Sequence, residues 1–483
     1  AQAQQRIAAI KGAWVSARLR SPGGDMGTRP EQSVGSTAEV PYRSETTCIL
    51  SQLMPPQDGV PQVQIRERTW QWARPQVEGT GPCARGGHSA TLVGPIDMQK
   101  ASARIFMFGG HFDSGGKAGF SYLNDVHILD IDENMWAQPR CRGTAPEARY
   151  GHSAALVGTR IVYFGGRGKD KHFRDLHALD AATLTWYQGP SSGGAPSARH
   201  GHTATLHGTR LYVFGGVCGA SYFGDLHCLD LQSMAWSSPT TTGPKPTPRF
   251  GHTALLIGET LLIHGGFFMD TMELTTKDNS GQLLKNCYLN DIRVLDLGRM
   301  LWSRLRTHGE PPVGRFGHTL VLSDDDAVLF GGWSGTSKDN APGVMFSLRD
   351  KMKGEGEETG ATQEDQTCDY CMTLRTADMK WIKNKYVGVP ASKRYGHSAT
   401  GIGPHLIIIG GWDGGKPLSD VIVLRDRSVA DKAGQSPLFD GEGAEEDLDG
   451  DMDGAYGDAL GRAEEGVGDE EPDDWMLVAG DGR

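Results

Sequence analysis

Short runs of apolar residues recur along the chain, and each ends in a pair of glycines. Residues 211–214 form one such run, ending at Gly215 and Gly216. A run that is apolar at every position predicts a strand buried on both faces. It is preceded by a stretch rich in Ser, Ala and Thr, such as 152–157, which predicts a strand crowded by its neighbours. Behind it comes Asp-Leu-His-Cys-Leu-Asp at 225–230, and then Trp236. Each unit therefore predicts four short strands, with the glycine pair as a tight exit from the second. The last Asp of the third strand is placed to bond the backbone of the next turn. The Trp supplies a large apolar plate for the fourth.

The unit occurs six times. Arg-x-Gly-His begins at Arg85, Arg149, Arg199, Arg249, Arg315 and Arg394, and the glycine pairs begin at Gly109, Gly165, Gly215, Gly265, Gly331 and Gly410. From Trp72, Trp136, Trp186, Trp236, Trp302 and Trp381 to the next Arg is thirteen residues in every case. A period near fifty residues marks a repeat array. Four-stranded units repeated radially make a β-propeller.

The glycine pairs, the third-strand Asp residues and the Trp residues at fixed offsets strongly resemble the kelch family, over about residues 63–426. The resemblance implies an all-β fold: a six-bladed kelch-type β-propeller with four-stranded blades, flanked by poorly structured N- and C-terminal extensions. The divisions read from the chain are an extension and linker at 1–62, the propeller at 63–427 and an acidic tail at 428–483. The sixth unit has no Trp after its third strand at 420–425, while the segment 64–74 carries Trp72 at the thirteen-residue offset. It is expected to pair with residues 420–425 and complete blade six, removing the edges of an open array.

Composition changes this picture in a few places. Net charge is −11, but from Asp426 onward there are nineteen acids and four bases, or −15. The remainder carries +4, with no basic stripe to argue for nucleic acid. No apolar run is long enough for a membrane span. Eight scattered Cys residues and no Asn-x-Ser/Thr acceptor point to an intracellular, cytoplasmic setting. Residues 1–20 hold four bases and no acid, with Ile7, Ile10, Trp14 and Leu19 spaced for one helix face. That segment reads as a docking helix, the remnant of a targeting segment, or a weakly structured tail. Residues 469–478 place a Trp and three apolar residues behind five acids, which reads as a docking motif or as a solvated tail.

Candidate chemistry is sparse. The six Arg of Arg-x-Gly-His recur in every blade, so they are expected to build the blades, bonding carbonyls or an Asp of a neighbouring copy, with each His bonding backbone. Arg85, Arg149, Arg199, Arg249, Arg315 and Arg394, with Trp72, Trp136, Trp186, Trp236, Trp302 and Trp381, form the structural set. His127, His177 and His227 share one third-strand position. A packed sheet layer of about 10 Å separates successive blades, so they cannot converge on one metal. The pair Cys368 and Cys371 lacks the second pair of a structural zinc site. No phosphate-binding glycine motif or nucleophile elbow stands at a strand-to-helix turn. No catalytic residue, metal site, cofactor or small-molecule substrate is assigned.

The spacing from glycine pair to third-strand Asp is nine residues in blades two, three and six, but 15, 25 and 37 in blades one, four and five. The long loops 267–287 and 333–367 fall on the face that carries Arg-x-Gly-His, and insertions on one face often mark a binding face. Loops also tolerate insertion without function. Candidate partner-binding residues are His111, Arg167, Phe267, Trp333 and Trp412, which follow the glycine pairs. Tyr150, Phe250, Phe316 and Tyr395, at the variable place of Arg-x-Gly-His, complete the set. Aromatic and Arg side chains are the usual interface anchors, although the same aromatics can pack between blades. The function expected is a non-catalytic protein-interaction module, a scaffold or adaptor that can sit in a larger assembly. The alternative is a kelch-type metal-dependent enzyme such as an oxidase.

Overall fold

The computed structural model describes residues 68–94, 103–113, 119–189, 194–268, 288–334 and 366–428. The N-terminal extension, residues 64–67, most of the two long loops and the acidic tail lie outside the described residues. The described chain is all strand and turn. Blade two shows the plan: Ser153–Val157, Arg160–Phe164, Leu176–Asp180 and Thr185–Gln188 pair in order, each antiparallel to the last. Blade three repeats it from Thr203–His207 to Ala235–Ser237, and blade four from Thr253–Ile257 to Leu301–Leu305. Blade one runs from Ser89–Val93 to Met135–Ala137, and blade five from Thr319–Ser323 to Lys380–Val387.

Blade six takes its first three strands from Ser398–Ile402, His405–Trp412 and Pro417–Asp426. Its fourth is Thr69–Ala73, which lies antiparallel to Pro417–Asp426 with Trp72 opposite Leu424. The same segment runs parallel to the outer strand of blade five. Arg68 fastens this joint by donating to the Ser323 hydroxyl and carbonyl, both at 3.0 Å, and by an ion pair to Asp426 at 3.4 Å.

The first strands form the inner wall, and the ring they make closes through backbone hydrogen bonds. The Gly of each Arg-x-Gly-His donates its N–H to the carbonyl of its counterpart in the preceding blade. The order is Gly151 to Gly87, Gly87 to Gly396, Gly396 to Gly317, Gly317 to Gly251, Gly251 to Gly201 and Gly201 to Gly151, all within 2.7–2.8 Å. Each has a φ of 61–65°, a left-handed value that glycine adopts without strain. Six bonds close the circle, so the blade count is six.

Between each pair of blades lies an apolar core. The second-strand run of one blade meets the Trp of the next: Phe108 faces Trp186, Phe164 faces Trp236, Phe214 faces Trp302 and Phe330 faces Trp72, at 5.1–5.6 Å between ring centres. All six repeat Trp residues are buried except Trp236, which is half-buried. The turns from third to fourth strand are held by the last Asp. Asp180, Asp230 and Asp296 each accept two backbone N–H bonds from the following turn.

Candidate functional site: the collar at one end of the central axis

The Arg-x-Gly-His segments lie where the inter-blade connections turn into the inner strands, and they place three sets of side chains in rings. The Arg ring comes first. Arg199 is fully buried. It donates to the Ser197 and Gly215 carbonyls at 3.0 and 2.8 Å, and forks onto both carboxylate oxygens of Asp225 at 2.7 and 2.9 Å. Arg85, Arg149, Arg249 and Arg394 repeat this with Asp125, Asp175, Asp291 and Asp420. In blade five Arg315 bonds the Asp369 carbonyl instead. The acid belongs to the Arg's own blade, where a neighbouring copy was one expectation. One guanidinium therefore ties the entry, the second-strand exit and the third strand of a single blade.

His127, His177 and His227 complete the same network, each within 2.7–3.0 Å of the Asp two residues before it. Burial alone would raise the Asp225 carboxyl. The bonds from Arg199 and His227 outweigh it and hold it below the usual carboxylate range. Among the described residues no group of three His, Cys, Asp or Glu is arranged to hold a metal ion.

The His ring follows, and it latches blade to blade. The Nε2 atoms of His152, His202, His252, His397 and His88 meet Ser89, Ser153, Thr203, Thr319 and Ser398 hydroxyls of the preceding blade at 2.8–2.9 Å. Backbone partners were expected for these imidazoles. The short hydroxyl of a crowded inner strand reaches them instead. The seam between blades four and five differs, because His318 meets His264 at 2.9 Å. His264 stands where blades one, two, three and five have Phe.

The variable residue of each Arg-x-Gly-His pairs through backbone with the residue after its glycine pair: Gly86 with His111, Tyr150 with Arg167, His200 with Val217, Phe250 with Phe267, Phe316 with Trp333 and Tyr395 with Trp412. All nine nominated partner-binding residues thus fall in one twelve-position ring. Their side chains touch in sequence. Trp412, His111, Tyr150, His200, Phe250, Phe316 and Tyr395 follow one another at 4.4–6.1 Å between ring centres. The backbone pairing of Tyr395 with Trp412 closes the circle.

Gly86 explains how the collar stays unbroken where blade one lacks an aromatic. A Cβ there would overlap the Trp412 indole, so the missing side chain makes room for it. His111, Tyr150, Phe250, Phe267, Phe316 and Trp412 are buried; Arg167, Trp333 and Tyr395 are half-buried. The buried six turn their rings mainly toward one another. The collar is polar on one side, with His111, Arg167, His172 and His200, and apolar on the other. A shallow pocket opens on the apolar side between Trp333, Lys393, Tyr395 and Trp412. Lys393 is buried and donates to Ser334 at 3.4 Å. Sequence reasoning missed His200, Val217 and Lys393, although the first two hold the equivalent ring positions and could have been read from the register.

Related repeats occur in known proteins. Residues 96–332 match the KLHDC2/KLHL20/DRC7 Kelch-repeats domain, and residues 393–427 match the Kelch motif. The chain belongs to the kelch-repeat family. This kelch propeller is 34% identical over 99 residues to the Kelch domain-containing protein 3 of Rattus norvegicus, covering 20% of this chain and 23% of that protein. It is 30% identical over 101 residues to the Rab9 effector protein with kelch motifs of the same species, covering 20% and 24%. A stretch of 85 residues is 39% identical to the tRNA wybutosine-synthesizing protein 2/3/4 of Arabidopsis thaliana, covering 18% and 7%. Each match thus spans about a quarter or less of the relative's length. Among the described residues no helix is long and apolar enough to cross a membrane.

Proposed function

We propose that this kelch propeller is an intracellular, non-catalytic scaffold or adaptor that docks a protein partner on its collar face. The observation that carries the reading is the closed aromatic collar at one end of the axis, at the root of the two long loops. Its half-buried members, Arg167, Trp333 and Tyr395, present the side-chain types that dominate interfaces. The buried members hold them in register. Residues 63–427 are taken as the docking domain, with 1–62 and 428–483 as extensions through which a larger assembly can be joined. The name of one relative, a Rab9 effector, fits a role in binding proteins rather than transforming them.

The test is affinity capture from native extract with two chains. One is intact; in the other the blade-four and blade-five loops are cut to the nine-residue spacing found in blades two, three and six. A partner held by the first and lost from the second places docking on the collar face. A partner retained by both moves docking to the extensions and removes the loops from the function.

A further inference from the structure

Arg167 lacks the acidic partner that five of the six blade-building arginines have. Arg85, Arg149, Arg199, Arg249 and Arg394 each fork onto an Asp. The guanidinium of Arg167 is half-buried in the collar and, among the described residues, has no hydrogen bond or ion pair. It is the only charged residue among the six that follow a glycine pair. Asp170, exposed in the same turn, makes no ion pair with it, and Glu147 is paired with Lys171 at 2.8 Å. A partly desolvated cation without a counter-ion is costly, and that cost needs an offset.

What surrounds Arg167 is a set of side chains able to hydrogen-bond. Arg167 pairs through backbone with Tyr150 on one side and His172 on the other, which sets the three side chains abreast on one face. His200 closes the group, 5.5 Å from Tyr150 and 5.0 Å from His172 between ring centres. His172 Nε2 and His200 Nδ1 are buried and have no hydrogen-bond partner, and His200 itself is only 6% exposed. Burial first, then His172 and the Arg167 guanidinium, push the His200 imidazole down to about 3, so a neutral ring stands within the field of the cation.

We propose that Arg167, His172 and His200 form a binding site for a phosphoryl group at the mouth of the propeller. The guanidinium fork takes two oxygens, and the two imidazoles take a third from other directions. A tetrahedral oxyanion offers acceptors to three non-coplanar groups, whereas the planar carboxylate saturates at the Arg fork. The phosphoryl group comes either from free phosphate or from a phosphorylated side chain. The site stands whether or not the collar docks a partner, because free phosphate probes it with no partner present.

The test is calorimetric titration of the full chain with inorganic phosphate, with a capped phosphoserine peptide, with its unphosphorylated counterpart, and with acetate. Saturable binding of phosphate, of the phosphopeptide or of both is expected, with at least about tenfold discrimination against acetate and the plain peptide. Which of the two binds identifies the source. R167A should weaken binding about tenfold or more, R167K less, and H172N severalfold. Because Arg167 makes no side-chain bond, R167A should melt at the wild-type temperature in phosphate-free buffer; R167K, which keeps the charge, serves if it does not. No binding of either phosphoryl probe, acetate binding as well as phosphate, or undiminished binding by both Arg167 variants overturns the proposal.

Discussion

Arg199 has no exposed surface, yet it carries a full charge into the blade. It can do so because every N–H direction it uses meets an oxygen. Asp225 supplies two of these while its own side chain stays 42% exposed. Asp225→Asn should therefore cost less than breaking a fully buried pair, about 2–3 kcal/mol, measured by urea denaturation. Loss below about 0.5 kcal/mol would make the carbonyl bonds alone sufficient. The six Arg residues were legible as blade builders because they recur at fixed offsets. Their partners were less so, since an Asp 26 residues away can belong to either of two blades until the strands are laid side by side. His264 was legible only in part: the register shows that it stands where four blades have Phe, but not that it packs against Trp381 and bonds the next blade.

At the scale of elements, the segment that completes blade six combines residues from opposite ends of the repeat region. Trp70 is fully buried and Trp72 is 5% exposed, and Trp72 packs on Phe330 and Tyr386 of blade five. The segment therefore joins blades five and six as well as filling an edge. Deleting residues 64–74 should lower the melting temperature sharply, and Trp72→Ala should cost about 3–5 kcal/mol. An unchanged melting temperature after the deletion would mean that the ring holds without the joint. The thirteen-residue Trp-to-Arg spacing made the missing strand readable, because a repeat that lacks one part must find it elsewhere. The parallel contact with blade five was not readable, since spacing within one repeat carries nothing about its neighbour. The collar is a mixed case. Register puts nine of its twelve members among the nominated residues, but burial depends on ring-to-ring contacts such as the 4.4 Å approach of His111 to Tyr150.

The whole molecule is held shut by its inner ring, and that ring is built from neutral imidazoles. His88, His152, His252 and His264 are pushed down to about 3, by burial first and then by neighbouring arginines. His202, His318 and His397 are lowered well below the ordinary value for the same reasons. In the unfolded chain each would titrate near 6.5. A depressed folded value means that the unfolded state binds more protons between the two, so the stabilisation is complete above about 6.5 and is lost as pH falls toward about 3. Each histidine then removes about 1.4 kcal/mol per pH unit in that window. Carboxylates such as Asp291, held down to about 2, follow the same sign, but only below their unfolded value near 4. Between pH 6.5 and 5 the slope therefore belongs to the histidines. Seven acting together remove several kcal/mol in the first unit, a large share of the roughly 5–15 kcal/mol that holds a typical domain folded. Urea midpoints taken at pH 7.5, 6.5 and 5.5 should fall a little across the first step and about three times as far across the second. A flat line to pH 5.5 would show that the imidazoles can be charged with the ring intact, and the hydroxyl latches would then not be what keeps the six blades together.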